Sequence, residues 1–337
     1  MMTNDSPPPR DAERGPLTAT LQIGRRDTAK TVRISDSRRM WGKIGGWVLR
    51  IVVVLIILDI VSKFLTADAM KWDTVWFYLF NQKVLNGVVL TLVLTAVAMI
   101  LGCLIGLILA LMKISRSLLL NVAADAYIWI FRGTPLLVQL LFWYNLASFL
   151  PSLSIGIPFG PQFLEVDTNS VITSMVAAML GLGLNEGAYM SEIIRAGIQS
   201  VDHGQSEAAA ALGMSRRRAM SRVVLPQAMR VIVPPTGNQV ISMLKGTSLV
   251  SIIAISELLY TVQVIYARTF ETIPLLVVAC IWYLFLTSVL SVGQHYIEKY
   301  YAKGASRTAP DTYLTKLRKL MSRTGHSSYV PRKEPVA

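Results

Sequence analysis

The apolar positions of this chain fall in long uninterrupted runs, not in the short alternations of a water-facing domain. Val84–Met112 and Thr272–Ile297 contain no charged residue, and Gly133–Leu150 is a third charge-free run directly after Arg132. Val171–Ile194 is mostly apolar but holds Glu186 and Glu192. Val231–Ser256 is interrupted by Pro234, Pro235, Gly237 and one cation, Lys245. The first run, Gly45–Lys63, is shorter and carries Arg50 and Asp59 around the apolar stretch Ile51–Leu58. A bilayer core about 30 Å thick is crossed by about 20 mainly apolar helical residues, so the pattern predicts six spans. The hydrophilic stretch ahead of Gly45 is long for the n-region of a cleaved signal.

Composition agrees. Of 337 residues 53% are hydrophobic and only 16% charged, against about 25% charged in soluble domains. That excludes a disordered chain, a collagen-like repeat and a disulfide scaffold, and points to an integral membrane protein. Cys103 and Cys280 both lie in apolar runs and are expected to be buried small hydrophobes. The net charge of +13 changes meaning once it is placed on the chain. Segments 1–43, 113–132, 195–230 and 298–337 hold 27 of the 33 Lys and Arg and net +16, leaving −3 elsewhere. Basic residues concentrate on cytoplasmic loops, so both termini are expected inside. Segments 66–83, 151–170 and 257–271 are then the loops on the other side. Residues 1–43 and 300–337 read as basic cytoplasmic tails, the first disordered from its Pro, Ser and charge content. Tyr313–Met321 has a short basic amphipathic pattern that suits either the inner membrane surface or a solvated tail.

The longest basic loop, 200–230, carries the most information. Asp202 and Gln205 have the form of a capping box, Ser206–Leu212 reads as an Ala-rich helix, and Gly213 fits its C′ position. Ser215 then caps a second helix, Ser215–Leu225, stopped by Pro226. Ala208, Ala211 and Leu212 share one face of the first helix, where small residues let another surface approach closely. Alone, this segment would pass for a DNA-binding helix-turn-helix with Arg216–Arg218 on phosphates. Its tethering to membrane helices at both ends speaks against nucleic acid. A solvated amphipathic loop is the plainer reading.

Glu207-Ala208-Ala209, Gly213 and Leu225-Pro226 together resemble the EAA loop of ABC-importer permeases. Phe131-Arg132-Gly133-Thr134-Pro135-Leu136 resembles the FRGTPL segment of the polar amino-acid permeases. Asn185-Glu186-Gly187-Ala188-Tyr189 with Glu192-Ile193 and Arg195-Ala196-Gly197-Ile198 is similar to their N-x-G-A-Y…E-I…R-A-G-I stretch. Pro234-Pro235, Gly237-Asn238, Leu244-Lys245 and Thr247-Ser248-Leu249 are similar to P-P-x-G-N and L-K-D-T-S-L. These elements keep family order from about Asn86 to Lys299. Two departures stand out: Gly246 replaces a frequent Asp, and Glu186 a frequent small or hydroxyl residue.

The resemblance implies an all-α polytopic bundle: a five-helix permease core at 84–299 plus an added N-terminal transmembrane helix at 44–64. It implies the membrane-spanning subunit of an ATP-driven importer of polar amino acids in a bacterial inner membrane, working by alternating access. Its partners would be ABC ATPase subunits, an extracytoplasmic amino-acid-binding protein, and a second permease that is either a copy or a paralogue. Glu207, Ala208, Ala209, Leu212, Gly213 and Arg217 would contact the ATPase. Arg216–Arg218 equally suit the positive-inside bias.

The chain has no Walker A sequence, so ATP and Mg would act on the partner ATPase and no cofactor is expected here. No metal ligand set, catalytic residue or nucleophile–base pair is visible; His203, His295 and Cys280 are scattered. Gly102/Gly106 and Gly183/Gly187 form two GxxxG patterns, read as helix-packing sites. Intramembrane ionisable groups point to function by default. Glu186 and Lys245 either pair with each other or join Asn185, Gln239 and Thr247 along a substrate path between interrupted helices. Two other function classes remain: an ion-coupled secondary transporter using Glu186 and Lys245, for which no internal repeat is evident, and a membrane-anchored regulator.

Overall fold

A computed structural model describes residues 28–157 and 160–302, with side chains from residue 46. The chain divides into two compact units, 1–68 and 69–337. The first contains α1 (Thr28–Thr66), whose apolar side chains from Trp47 to Leu65 are exposed on every face. A helix apolar all round suits lipid. Helical backbone starts ahead of residue 44, inside the stretch read as a tail; residues 1–27 and 303–337, with the Tyr313–Met321 pattern, lie outside the described residues.

The second unit is helical apart from one hairpin. Its elements are α2 (Trp72–Leu79), α3 (Gln82–Ile114), α4 (Leu118–Gly133), α5 (Leu136–Tyr144), the antiparallel pair β1 (Ser152–Gly156) and β2 (Gln162–Asp167), and α6 (Thr168–Val171). There follow α7 (Ser174–Gln199), α8 (His203–Ala211), α9 (Arg216–Ala219), α10 (Leu225–Gly246), α11 (Leu258–Thr269) and α12 (Thr272–Ala302). By length and composition α3 and α12 each suffice to cross a bilayer, and two bent helix pairs pass the same test together.

Four sequence expectations are corrected. Gly133–Leu150 is not one straight span: α4 and α5 meet at 101°. Thr134, ahead of Pro135, is extended at φ −113° and ψ 143°, because the proline ring crowds the preceding residue out of the α region. The expected loop 113–132 is therefore mostly helix. The expected loop 257–271 is also helix, α11, reached through a 3-10 segment Thr247–Ile253 and a left-handed Ala254. Finally, Pro226 does not stop the helix that begins at Arg216. A π-turn, Met220–Val224, lets the Leu225 N–H reach back to the Met220 carbonyl. The widened ladder absorbs the donor that proline lacks, and the rod continues through Pro234 and Pro235 to Ile253. The two other expected loops are partly ordered, by α2 and by the hairpin.

Two apolar clusters hold the unit. One joins α3, α7 and α10 through Leu94, Ala98, Leu182, Met190 and Ile232; the other joins α2, α3, α11 and α12 through Val75, Val84, Leu258 and Leu275. The α3–α7 contact is the most extensive, and the glycines explain it. A Cβ on Gly106 would lie 2.6 Å from the Met190 Cβ and 2.9 Å from its backbone carbon, and one on Gly187 2.5 Å from Ile105. Each GxxxG thus admits the other helix, as close approach in lipid requires. Cys103 is half-buried and Cys280 exposed on α12, so the expectation of two buried thiols fails for Cys280.

Candidate functional site

The loop between α7 and α10 folds as helix, left-handed turn, helix. The Asp202 carboxylate caps α8 by accepting the Gly204 N–H at 2.7 Å. Gln205 does not close a capping box; its Oε1 accepts from Gln227 Nε2 at 3.3 Å. At the other end Gly213 has φ +74°. Its N–H donates to the Ala210 carbonyl at 2.9 Å, and the Met214 N–H to the Ala209 carbonyl at 3.0 Å, the paired bonds of a Schellman cap. Ser215 holds the N-cap backbone position of α9 but makes no side-chain cap bond.

Burial divides the loop. Ala209 is buried, so it anchors α8 to the protein rather than facing outward. Glu207, Ala208, Ala211, Gly213 and Arg216–Arg218 are exposed, and Leu212 is 81% exposed. A large apolar side chain thus stands out from the loop beside alanines and a glycine that add no bulk.

Inside the bundle the predicted polar residues differ in how they are bonded. Asn185 is hydrogen-bonded to the protein itself. Its Nδ2 donates to the Phe131 carbonyl at 2.9 Å and to Gln139 Oε1 at 3.3 Å. Gln139 Nε2 donates to the same carbonyl at 2.9 Å and to Thr134 Oγ1 at 2.8 Å. The two buried amides satisfy the carbonyls freed where α4 breaks, as backbone at membrane depth demands. Thr247, fully buried, donates to the Leu244 carbonyl of its own helix at 2.7 Å.

Glu186 is different. It is 4% exposed, and it fits against α3 because Gly102 has no side chain; a Cβ there would lie 2.5 Å from its Cγ. The Gln239 side chain reaches the carboxyl, while Oε1 has no hydrogen-bond partner. No ion pair joins Glu186 to Lys245, which is exposed. Gln239 and Lys245 are six residues apart on one helix, which at 3.6 residues per turn puts them roughly 120° apart around it. The face that meets Glu186 therefore carries the amide and not the cation.

Three features went unread in the sequence. Glu257, in a segment expected to be a loop, is fully buried. It caps α11 through the Tyr260 N–H at 2.8 Å and accepts from Tyr283 Oη at 2.8 Å and Thr91 Oγ1 at 3.4 Å. Gln294 is buried and donates to the Pro234 carbonyl at 2.6 Å, in space left by Gly237. Arg132 lies 5.2 Å from the Tyr189 ring centre. Of these only Glu257, an acid followed by an apolar helical run, had a local signal, that of an N-cap. Among the described residues no group of His, Cys, Asp and Glu could hold a metal ion.

Known proteins share this architecture. The Arginine transport system permease protein ArgU of Corynebacterium glutamicum is 46% identical over 267 residues, 78% of this chain and 82% of its own. The Probable amino-acid ABC transporter permease protein YckA of Bacillus subtilis is 34% identical, over 67% of this chain and 96% of its own. A solved amino acid ABC transporter with histidines superposes with a TM-score of 0.55 at 36% identity, covering 65% of this chain and 94% of that one. The family model described as Binding-protein-dependent transport system inner membrane component matches residues 102–303, which include the α3–α7 glycines, the exposed loop and the broken helices. Over more than half its length, and with those parts in place, the chain belongs to the family of inner membrane components of binding-protein-dependent transport systems.

Proposed function

We infer that this chain is the permease subunit of an ATP-driven importer of polar amino acids, cationic ones foremost, working with separate ATPase subunits, an extracytoplasmic binding protein and a second permease. The observation that carries the reading is mechanical. The exposed loop around Glu207 and Leu212 turns at Gly213 and leads into a helical rod that runs from Arg216 to Ile253. A displacement imposed at the cytoplasmic end is transmitted along this rod to Gln239 and Lys245. ATP and Mg belong to the partner ATPase, and the chain itself catalyses nothing. The excess of basic residues in four segments supports a topology with both termini in the cytoplasm, and the apolar exposure of α1 supports a span outside the core.

Family membership favours this over the ion-coupled transporter. The cationic preference rests on the similarity to an arginine permease and on Glu186, a buried carboxyl with one unpartnered oxygen and no protein cation beside it. A guanidinium or ammonium group would satisfy that oxygen. Asn185 and Thr247 are assigned to the scaffold, and Gln239, Lys245 and Glu186 to the path.

Proteoliposomes holding the permease with its ATPase and binding protein test both parts. Glu207→Lys is expected to leave ATP hydrolysis running while uptake falls. Glu186→Gln is expected to lower arginine uptake relative to glutamine, and Lys245→Met to alter uptake of both. Wild-type uptake in Glu207→Lys removes the coupling role, and an unchanged substrate preference in both intramembrane variants removes them from the path.

A further inference from the structure

A cavity lies at the other end of the bundle, between α2, the start of α3 and the end of α11. It encloses about 520 Å³ and presents Lys83, Arg268, Asn81 and Asn86 beside Phe77 and Tyr78. No acidic side chain lines it. Neither Lys83 nor Arg268 has an ion-pair partner among the described residues, and the nearby Glu271 is taken by Lys71 at 2.6 Å. Two free cations around a polar cavity call for an anion.

Position and rim identify its chemistry. At 1.5 Å per residue α3 is about 50 Å long, more than a hydrocarbon core and close to a whole bilayer of about 40–45 Å with its headgroups. Lys83, the second residue of α3, is thus set at headgroup level. Around it Trp76, Phe77, Phe80 and Phe270 are 62%, 68%, 67% and 88% exposed, while Val75 and Leu79 of the same short helix are buried. An exposed tryptophan and a tyrosine at a helix end mark the membrane interface, the exposed phenylalanines beside them suit the acyl region, and basic side chains at that level attract anionic headgroups. A docking protein would instead require these aromatics to be covered, and nothing in the pocket prefers a peptide.

We propose that the cavity between α2, α3 and α11 binds the phosphate headgroup of an anionic phospholipid, with Lys83 and Arg268 on the phosphate and the aromatic rim against its acyl chains. The leaflet is the extracytoplasmic one if the topology proposed above is right; the site itself does not depend on what solute is carried.

The test uses the permease–ATPase complex in nanodiscs of phosphatidylcholine and phosphatidylglycerol, with retained lipid measured by native mass spectrometry. Wild type is expected to retain phosphatidylglycerol in excess. K83Q/R268Q should lose that excess by roughly tenfold, each single substitution by less. K83R/R268K and Lys299→Gln, a control cation on α12, should keep it. Should the double variant fail to assemble, the single variants decide the matter in the same way. Equal lipid retention in wild type and K83Q or R268Q overturns the proposal. So does saturable binding of inorganic phosphate without lipid enrichment, which makes the ligand a free anion. If lipid retention is unchanged while the Kd for the binding protein rises, the pocket is a protein-docking surface instead.

Discussion

Replacing Gly213 with valine puts a β-branched side chain at φ +74°, a conformation Gly213 adopts to close α8. A Cβ there meets no atom within 4 Å, so the penalty is purely conformational and no clash confuses the result. Left-handed backbone costs a non-glycine residue about 1–2 kcal/mol, and β-branching adds to this. The alternative is to leave that conformation and give up the bonds from Gly213 and Met214 to the Ala210 and Ala209 carbonyls. α8 has only nine residues and one buried side chain, Ala209, and helices under about 12 residues are marginal without packing. It has little else to resist fraying.

A shift of 1–2 kcal/mol is a factor of about 5–30 in the opening equilibrium. Amide exchange over residues 207–214 should therefore speed up by that factor in Gly213→Val and somewhat less in Gly213→Ala. It should change little in Gly213→Asn, since asparagine tolerates the left-handed region. Uptake per ATP in proteoliposomes should fall in the same order. The reasoning is refuted if Gly213→Val exchanges and couples like wild type, or if valine and asparagine behave alike.

Packing and burial make further predictions. Gly106→Ala must open the α3–α7 contact by about 0.8 Å, from 2.6 Å to an ordinary 3.4 Å, against backbone as well as side chain. A loss of about 1–3 kcal/mol is expected, seen as a lower melting temperature, while Gly246→Ala, in open space, should melt like wild type. Asn185→Leu leaves Gln139 Oε1 without its donor and the Phe131 carbonyl with Gln139 Nε2 alone and should cost about 1–3 kcal/mol; a change in substrate preference without loss of stability would put Asn185 on the path. Glu257→Ala removes the cap of α11 and its ties to Tyr283 and Thr91. It should destabilise by at least about 1 kcal/mol, whereas Glu257→Gln, which still accepts from Tyr260 and Tyr283, should lose less.

Prolines show where sequence reading succeeds and where it stops. Pro135 and Pro226 each remove one donor and crowd the preceding turn; Pro226 reads as a helix stop, whereas Pro135 lies inside the run read as one span, Gly133–Leu150. At Pro135 the chain does break, and the freed carbonyls are taken by Gln139 and by Asn185, 54 residues away from Phe131. At Pro226 the π-turn absorbs the defect and the helix continues. The local chemistry is the same; what differs is whether distant side chains are present to satisfy a break.

Several properties are written in the chain itself because they depend only on local transfer energies and backbone preferences. Charge-free runs long enough to cross lipid, the asymmetry of basic residues, the glycine that ends an Ala-rich helix and the small-residue spacing of α3 and α7 all belong here. Tertiary structure alone decided which groups meet. Glu186 faces Gly102 and Gln239 and not Lys245, because helical phase and packing, not depth in the bilayer, select a neighbour. Asn185 meets the Phe131 carbonyl because a break in another helix lies beside it. Lys83 and Arg268, 185 residues apart in sequence, share one pocket only because α3 and α11 pack together. Long-range placement of this kind arises from the sum of many contacts, and no single stretch of sequence contains it.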